Sequence, residues 1–174
     1  MRQGFVKVAA ITPKIKVAEP QYNAEQIKER LLEAYEKGAK VIVFPELCLT
    51  GYTCCDLFLQ ELLLKEALRQ LMGLAAFTAG HDSLVFVGLP FEKDGKLYNV
   101  AAAIQDGVIL GMVPKMHIPV YAEFYEGRYF AAGQEDVTTV SVGGEEVPFG
   151  CNILFETEAV KGLLVACEIC EDFW

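Results

Sequence analysis

Residues 40–56 read "KVIVFPELCLTGYTCCD", and the first seven of them set the fold class. "KVIVF" (40–44) is a continuous apolar run of strand length, the pattern of a strand covered on both faces. Pro45 fixes the backbone as the run ends. Glu46 follows at once, a charge at the carboxyl end of a buried strand. Working outward, "FVKVAAI" (5–11) reads as another buried strand, punctuated by Pro13. A helix is expected between the two. Asn23 stands three residues before Gln26, the spacing of a capping box. Ile27, Leu31, Ala34 and Tyr35 share one face, and Gly38 stops the helix. Strand, helix and strand in this order predict a layered α/β domain.

Beyond the 45–56 loop a helical stretch covers roughly 57–79, and "SLVFVGLPF" (83–91) is the next strand. "KLYNVAAAIQDGVILGMVP" (96–114) is two strands hinged at Asp106-Gly107, a strong hairpin signal. An antiparallel pair makes the sheet mixed. The stretch 115–136 has no period and begins "KMHIPVYAEFYEGRYFAAGQ". A loop of that length in a compact domain is functional or disordered, and its aromatic content argues against disorder. "DVTTVSV" (136–142) and "CNILFE" (151–156) read as further strands. "VKGLLVAC" (160–167) is the last strand, delivering Cys167 and Cys170 near its end. "VGGEE" (142–146) is a turn. With no repeat, low-complexity tract or linker, the 174 residues form one domain.

Composition narrows the classes. At 53% hydrophobic and 22% charged, the chain is not a disordered one. Its net charge of -9, with no Lys/Arg cluster longer than a pair, argues against nucleic acid as a partner. The long apolar stretch "ELLLKEALRQLMGLAAF" is interrupted by charge, so no membrane span is expected. "MRQGFVKVAAITP" lacks the unbroken apolar core of a signal peptide, which points to the cytoplasm. The six cysteines then read as reduced thiols, most of them buried small hydrophobes. Adjacent Cys54-Cys55 are expected to pack or face solvent.

"VACEICEDFW" (165–174) poses the chemical question. A zinc site at Cys167 and Cys170 needs two more ligands. The histidines are His81 and His117, and there is no second C-x-x-C, so no metal is expected. A redox C-x-x-C needs low-pKa thiols, and Glu168 and Glu171 oppose that. A papain-like pair with His117 lacks the local signatures of those proteases. The remaining route is a thiol activated by a carboxylate and a lysine. Glu46 lies where ligands of open α/β sheets bind, beyond a strand's carboxyl end. Lys115 repeats the pattern: "GVILGMVP" (107–114), then a charge. The alternatives are a solvated loop carboxylate for Glu46 and a surface lysine lying along its own stem for Lys115. Three reactive side chains, each placed just after an apolar strand, favour the shared site.

At those three places the sequence resembles the nitrilase superfamily of carbon–nitrogen hydrolases. "FPELCLTGY" (44–52), "VPKMHIPVYAEFYEGRYF" (113–130) and "EICEDFW" (168–174) are similar to its glutamate, lysine and cysteine motifs. Glu171-Asp172 followed by Phe173-Trp174, together with "YAEFYEGRYF" and "GYTCCDLFLQ", resembles the branch found as glutaminase domains of glutamine-dependent NAD synthetases. The resemblance implies an α-β-β-α sandwich with mixed sheets, represented by an incomplete N-terminal portion in residues 1–174. The synthetase domain is absent from this span.

It also implies catalytic roles for Glu46 as base, Lys115 as cation and Cys170 as nucleophile, acting on glutamine through a thioester. The backbone N–H of Glu171 becomes a second oxyanion donor. Tyr121 becomes a substrate contact, and Glu123 a further carboxylate holding Lys115 or orienting water. Asp172 is expected only to cap the helix that should follow. Ammonia would pass to an ATP- and Mg-dependent C-terminal synthetase domain making NAD from its deamido form, in a homo-oligomer. No phosphate-cradling motif occurs within these residues, so no cofactor is expected here. The alternatives are a free-standing amidase of the same family with another small amide, or an inactive fragment of either.

Overall fold

The computed structural model describes residues 5–157 and 160–174. Strands β1 (Val8–Ala10), β2 (Val41–Val43), β3 (Leu84–Lys93), β4 (Lys96–Gln105), β5 (Val108–Pro114), β6 (Thr138–Val142) and β7 (Glu145–Phe149) form one mixed sheet. Its order is β1-β2-β3-β4-β5-β7-β6. β1, β2 and β3 are parallel, while β4 runs antiparallel to both β3 and β5. β2, β3 and β5 therefore share a direction, and their carboxyl ends lie along one edge. A two-stranded sheet of β8 (Phe155–Glu156) and β9 (Leu164–Val165) completes the strands.

Helices α1 (Pro20–Glu36) and α2 (Glu61–Phe77) cover one face of the large sheet. Ile27 and Leu31 of α1 and Leu71 and Leu74 of α2 pack on Ile42, Val85, Val87 and Leu89. On the other face Leu84, Phe86, Ala103 and Val113 meet Phe155 and Val165 of the small sheet, with Phe86 edge-on to Phe155 at 5.5 Å. β3 is thus covered on both sides, which is why its sequence is an unbroken apolar run rather than an alternating one. Among the described residues no helix is long and apolar enough to cross a membrane.

Several expectations need correction. "FVKVAAI" is not a buried strand: β1 spans three residues at the sheet edge, and Val8 is 68% exposed. The first helix starts at Pro20, whose fixed φ suits a first turn. Asn23 lies inside that helix, fully buried, and is no cap. Its side chain accepts from Lys16 N–H at 2.7 Å and donates to the Lys16 and Leu49 carbonyls. The stretch 57–79 is not one helix. A 3-10 turn, Cys55–Leu59, comes first, and Gln60 is extended before α2 begins. β7 was hidden by Pro148 and two glutamates; it pairs with β6 throughout but with β5 at a single residue pair. The strands expected at 151–156 and 160–167 shrink to two residues each.

Candidate active site

The sheet edge explains how distant residues meet. Pro45-Glu46 leaves the end of β2 and Pro114-Lys115 leaves the end of β5, both at the same edge. Asn99 on β4 lies between them, opposite Pro90, and its carbonyl accepts the Lys115 backbone N–H at 2.8 Å. The Glu46 loop turns back over β3 at Gly88, where Leu49 N–H donates to the Gly88 carbonyl at 3.1 Å. A Cβ at Gly88 would meet Pro45 O at 2.7 Å and the backbone of Glu46 and Leu47. Glycine is what lets the loop lie directly on the strand.

Lys115 has no exposed surface. Its Nζ donates to Glu46 Oε1 at 2.7 Å and to Glu126 Oε1 and Oε2 at 2.7 and 2.9 Å. Burial pushes the ammonium pKa down. The hydrogen bonds and charges of Glu126 and Glu46 outweigh it, so the pKa stands above the usual lysine value and the group is charged. Asn99 Nδ2 bridges the carboxylates, donating to Glu46 Oε1 and, at 3.4 Å, to Glu126 Oε2. Tyr52 OH adds a 2.8 Å bond to Glu126 Oε1. Both donors to Glu46 use Oε1, so among the described residues Oε2 carries no hydrogen bond.

Cys170 opens a 3-10 turn, Cys170–Phe173, with φ +48, a left-handed conformation unusual for a residue with a side chain. It is exposed. A pocket of about 100 Å³ is lined by Glu46, Gly88, Asn99, Ile169 and Cys170 among others. The thiol pKa is raised by burial of the sulfur and by Glu46, with Lys115 lowering it, Glu126 raising it and the Glu171 backbone N–H lowering it again. The structure therefore brings Cys170 within range of the Lys115–Glu46–Glu126 charges. The sulfur rests as a thiol that needs a base. Cys167 packs against the Phe86–Phe155 cluster, and burial pushes its thiol up to about 12, the opposite of what a redox pair needs.

The other expected residues divide. Tyr121 OH donates to both carboxylate oxygens of Glu171 at 3.0 Å, so these two come together on the surface next to Cys170. Glu123 does not hold Lys115. It is exposed, lining a neighbouring pocket with Tyr52 and Tyr125. Glu126 takes the place on Lys115, because it is the one buried residue of the turn Glu126–Arg128 while residues 120–123 form an outer rim. The signal for Glu126 was a carboxylate set in an aromatic run; burying it there requires a charged partner. Asn99, in mid-strand, gave no local signal. Among the described residues no group of three or more His, Cys, Asp or Glu side chains is arranged to hold a metal ion.

A carboxylate with a free oxygen and a thiol around one small pocket, backed by a buried ammonium on that carboxylate, can cleave an amide by nucleophilic attack. The carbon-nitrogen hydrolase family model matches residues 7–172. The glutamine-dependent NAD(+) synthetase of Mycobacterium leprae is 37% identical over 172 residues, which are 99% of this chain and 25% of that protein. That of Aquifex aeolicus is 34% identical over 158 residues, 91% of this chain and 24% of that one. The chain thus spans about a quarter of the length of these curated relatives. Among solved structures, a glutamine-dependent NAD(+) synthetase from Cytophaga hutchinsonii superposes with a TM-score of 0.88 and 28% identity. The match covers 96% of this chain and 28% of that one. An amidase from Nesterenkonia sp. shares the fold, with a TM-score of 0.63 and 22% identity over 85% of this chain and 56% of its own. By the extent of the family match and by the α/β architecture with its large mixed sheet, this chain belongs to the carbon-nitrogen hydrolase family.

Proposed function

We propose that the chain is the glutaminase part of a glutamine-dependent NAD synthetase. The observation that carries the chemistry is the buried Lys115 ammonium, held at 2.7 Å by both Glu46 and Glu126, behind a pocket that Cys170 shares with Glu46. Cys170 Sγ attacks the side-chain amide carbon of glutamine. Glu46 Oε2 takes the thiol proton and delivers it to the amide nitrogen, so ammonia leaves and a thioester remains. A water then gives Glu46 a proton and adds to the thioester. The sulfur departs, recovers the proton, and glutamate is released. Lys115 stabilises the oxyanion of each tetrahedral stage by its charge. In this reading Tyr121 and Glu171, paired at 3.0 Å beside Cys170, contact the amino-acid end of glutamine.

The names of the relatives support glutamine as the amide and NAD synthesis as the use of the ammonia. In this reading the ammonia passes to a synthetase domain that uses ATP and Mg to amidate deamido-NAD. The test is Cys170→Ala in the complete protein, supplied with ATP, Mg and deamido-NAD. NAD formation from glutamine should stop, while formation from ammonium chloride continues. Retained glutamine use removes Cys170 as nucleophile. Hydrolysis of simple aliphatic amides in preference to glutamine replaces this reading with that of a free-standing amidase.

A further inference from the structure

Asp172 makes an unusual set of contacts for a residue that caps a short turn. Its Oδ2 accepts the Ile169 N–H at 3.2 Å, and its own N–H closes the turn onto the Ile169 carbonyl at 3.0 Å. Its Oδ1 reaches a different loop, accepting the N–H groups of Met116 at 2.9 Å and His117 at 2.7 Å. His117 Nδ1 lies 3.3 Å from the same oxygen. The side chain is 10% exposed, and among the described residues no lysine or arginine pairs with it. Ile169 immediately precedes Cys170, and Met116 immediately follows Lys115. One carboxylate therefore holds the backbone next to the nucleophile and the backbone next to the cation.

We propose that Asp172 is a positioning residue, fixing the Cys170 turn to the Lys115 loop and so setting the sulfur against the buried ammonium–carboxylate cluster. The conformation of Cys170 calls for such a device. A left-handed φ at a non-glycine residue persists when its surroundings over-determine it. Backbone N–H bonds to a carboxylate are roughly twice as strong as bonds between neutral groups. Three of them converge here. Misplacing a reacting atom by about an ångström costs on the order of 100-fold in rate, so a tether between the two loops acts on catalysis without touching substrate.

The inference rests on Cys170 being the nucleophile, so its test includes an arm that needs no substrate. The complete protein is compared with Asp172→Ala and Asp172→Asn. Iodoacetamide labelling of Cys170 is followed against pH by peptide mass spectrometry. Exposed Cys55 serves as the internal reference, and buried Cys48 and Cys54 report unfolding. In the wild type burial and Glu46 hold the Cys170 midpoint above the usual thiol value. Displacement of the turn carries the sulfur away from those groups and lowers its midpoint, and Asp172→Asn, which removes the charge but keeps an acceptor oxygen, separates displacement from the loss of the Asp172 charge itself.

Asp172→Ala is expected to bring the Cys170 midpoint down toward the usual thiol value and below that of Asp172→Asn. It should lower kcat for glutamine by about 10-fold to 100-fold with KM within about threefold. Asp172→Asn keeps one acceptor oxygen and should restore kcat to within roughly threefold of wild type. An alanine variant with Cys48 and Cys54 still protected, an unmoved midpoint and wild-type kcat overturns the proposal. Should the alanine variant unfold, Asp172→Ser decides: its short side chain can cap Ile169 but cannot reach Met116 and His117, so a kcat lowered about 10-fold or more with Cys48 and Cys54 protected sustains the tether, and a wild-type kcat overturns it. Should the wild type fail to hydrolyse glutamine, the labelling midpoints still decide Asp172 while the proposed substrate falls separately.

Discussion

Glu126→Gln preserves shape and removes one charge from the core of the site. The side chain is 4% exposed and takes three short bonds, two from Lys115 at 2.7 and 2.9 Å and one from Tyr52 at 2.8 Å. Glutamine offers one oxygen and one amide nitrogen to that set of donors, so at least one contact sets donor against donor. Removing one partner of a buried ion pair costs about 3–5 kcal/mol. Lys115 keeps Glu46, so about 2–3 kcal/mol is the expected loss of stability here. At about 2–4 °C per kcal/mol for a domain of this size, Tm should fall by roughly 4–12 °C. The catalytic effect comes from a redistribution of charge. In the wild type two carboxylates share one ammonium; in the variant Glu46 is its single counter-ion and gives up part of its power to accept a proton. A loss of about 100-fold in kcat corresponds to about 2.7 kcal/mol, the scale of one mis-set charge in a dry site. Glu126 does not line the pocket onto which Cys170 opens, so KM should stay within about threefold. Steady-state glutamate release gives kcat and KM, and calorimetry gives Tm. A variant with lowered Tm but kcat within threefold of wild type refutes the charge-sharing argument and leaves Glu126 as a structural partner of Lys115.

Glu46→Gln should separate two properties that ordinarily move together. Glutamine hydrolysis falls by about 10²–10⁴-fold for want of the base. Alkylation of Cys170 at neutral pH becomes faster, because Glu46 raises that thiol's pKa while Lys115 lowers it, so removing the carboxylate increases the thiolate fraction. Equal losses in both assays would show that Glu46 acts by holding the site together. Gly88→Ala tests the close approach of the Glu46 loop to β3: its Cβ meets backbone at Pro45, Glu46 and Leu47, which cannot yield as a side chain would. A destabilisation of about 1–3 kcal/mol with a fall in kcat is expected, and a variant of wild-type stability and rate would mean the loop is free to lift.

What the sequence revealed followed from local rules. Glu46 and Lys115 were visible because each follows a run of strand residues and a proline, and parallel strands deliver such residues to one edge. The Asp106-Gly107 turn was visible because its φ values are positive at both residues, the signature of the tight hairpin that makes the sheet mixed. Glu126 and Asn99 were not visible, since their burial exists only once β4 lies between β3 and β5 and the turn at Glu126 folds beneath it. Asn23 misled for a related reason. Its capping chemistry is genuine but is directed at Lys16 and Leu49 across the fold rather than at its own helix. Glu123 misled by proximity, lying three residues before the carboxylate that reaches Lys115.

The segment from Lys115 to Phe130 is buried at Lys115, Glu126 and Phe130 and exposed at Val120, Tyr121, Glu123 and Tyr125. In the proposed reaction, bond-breaking falls to the inner residues of this single stretch of chain and the choice of which molecule to break to its outer ones. Descendants of such a scaffold can exchange the outer side chains and acquire a new amide to cut, with the inner charges left as inherited.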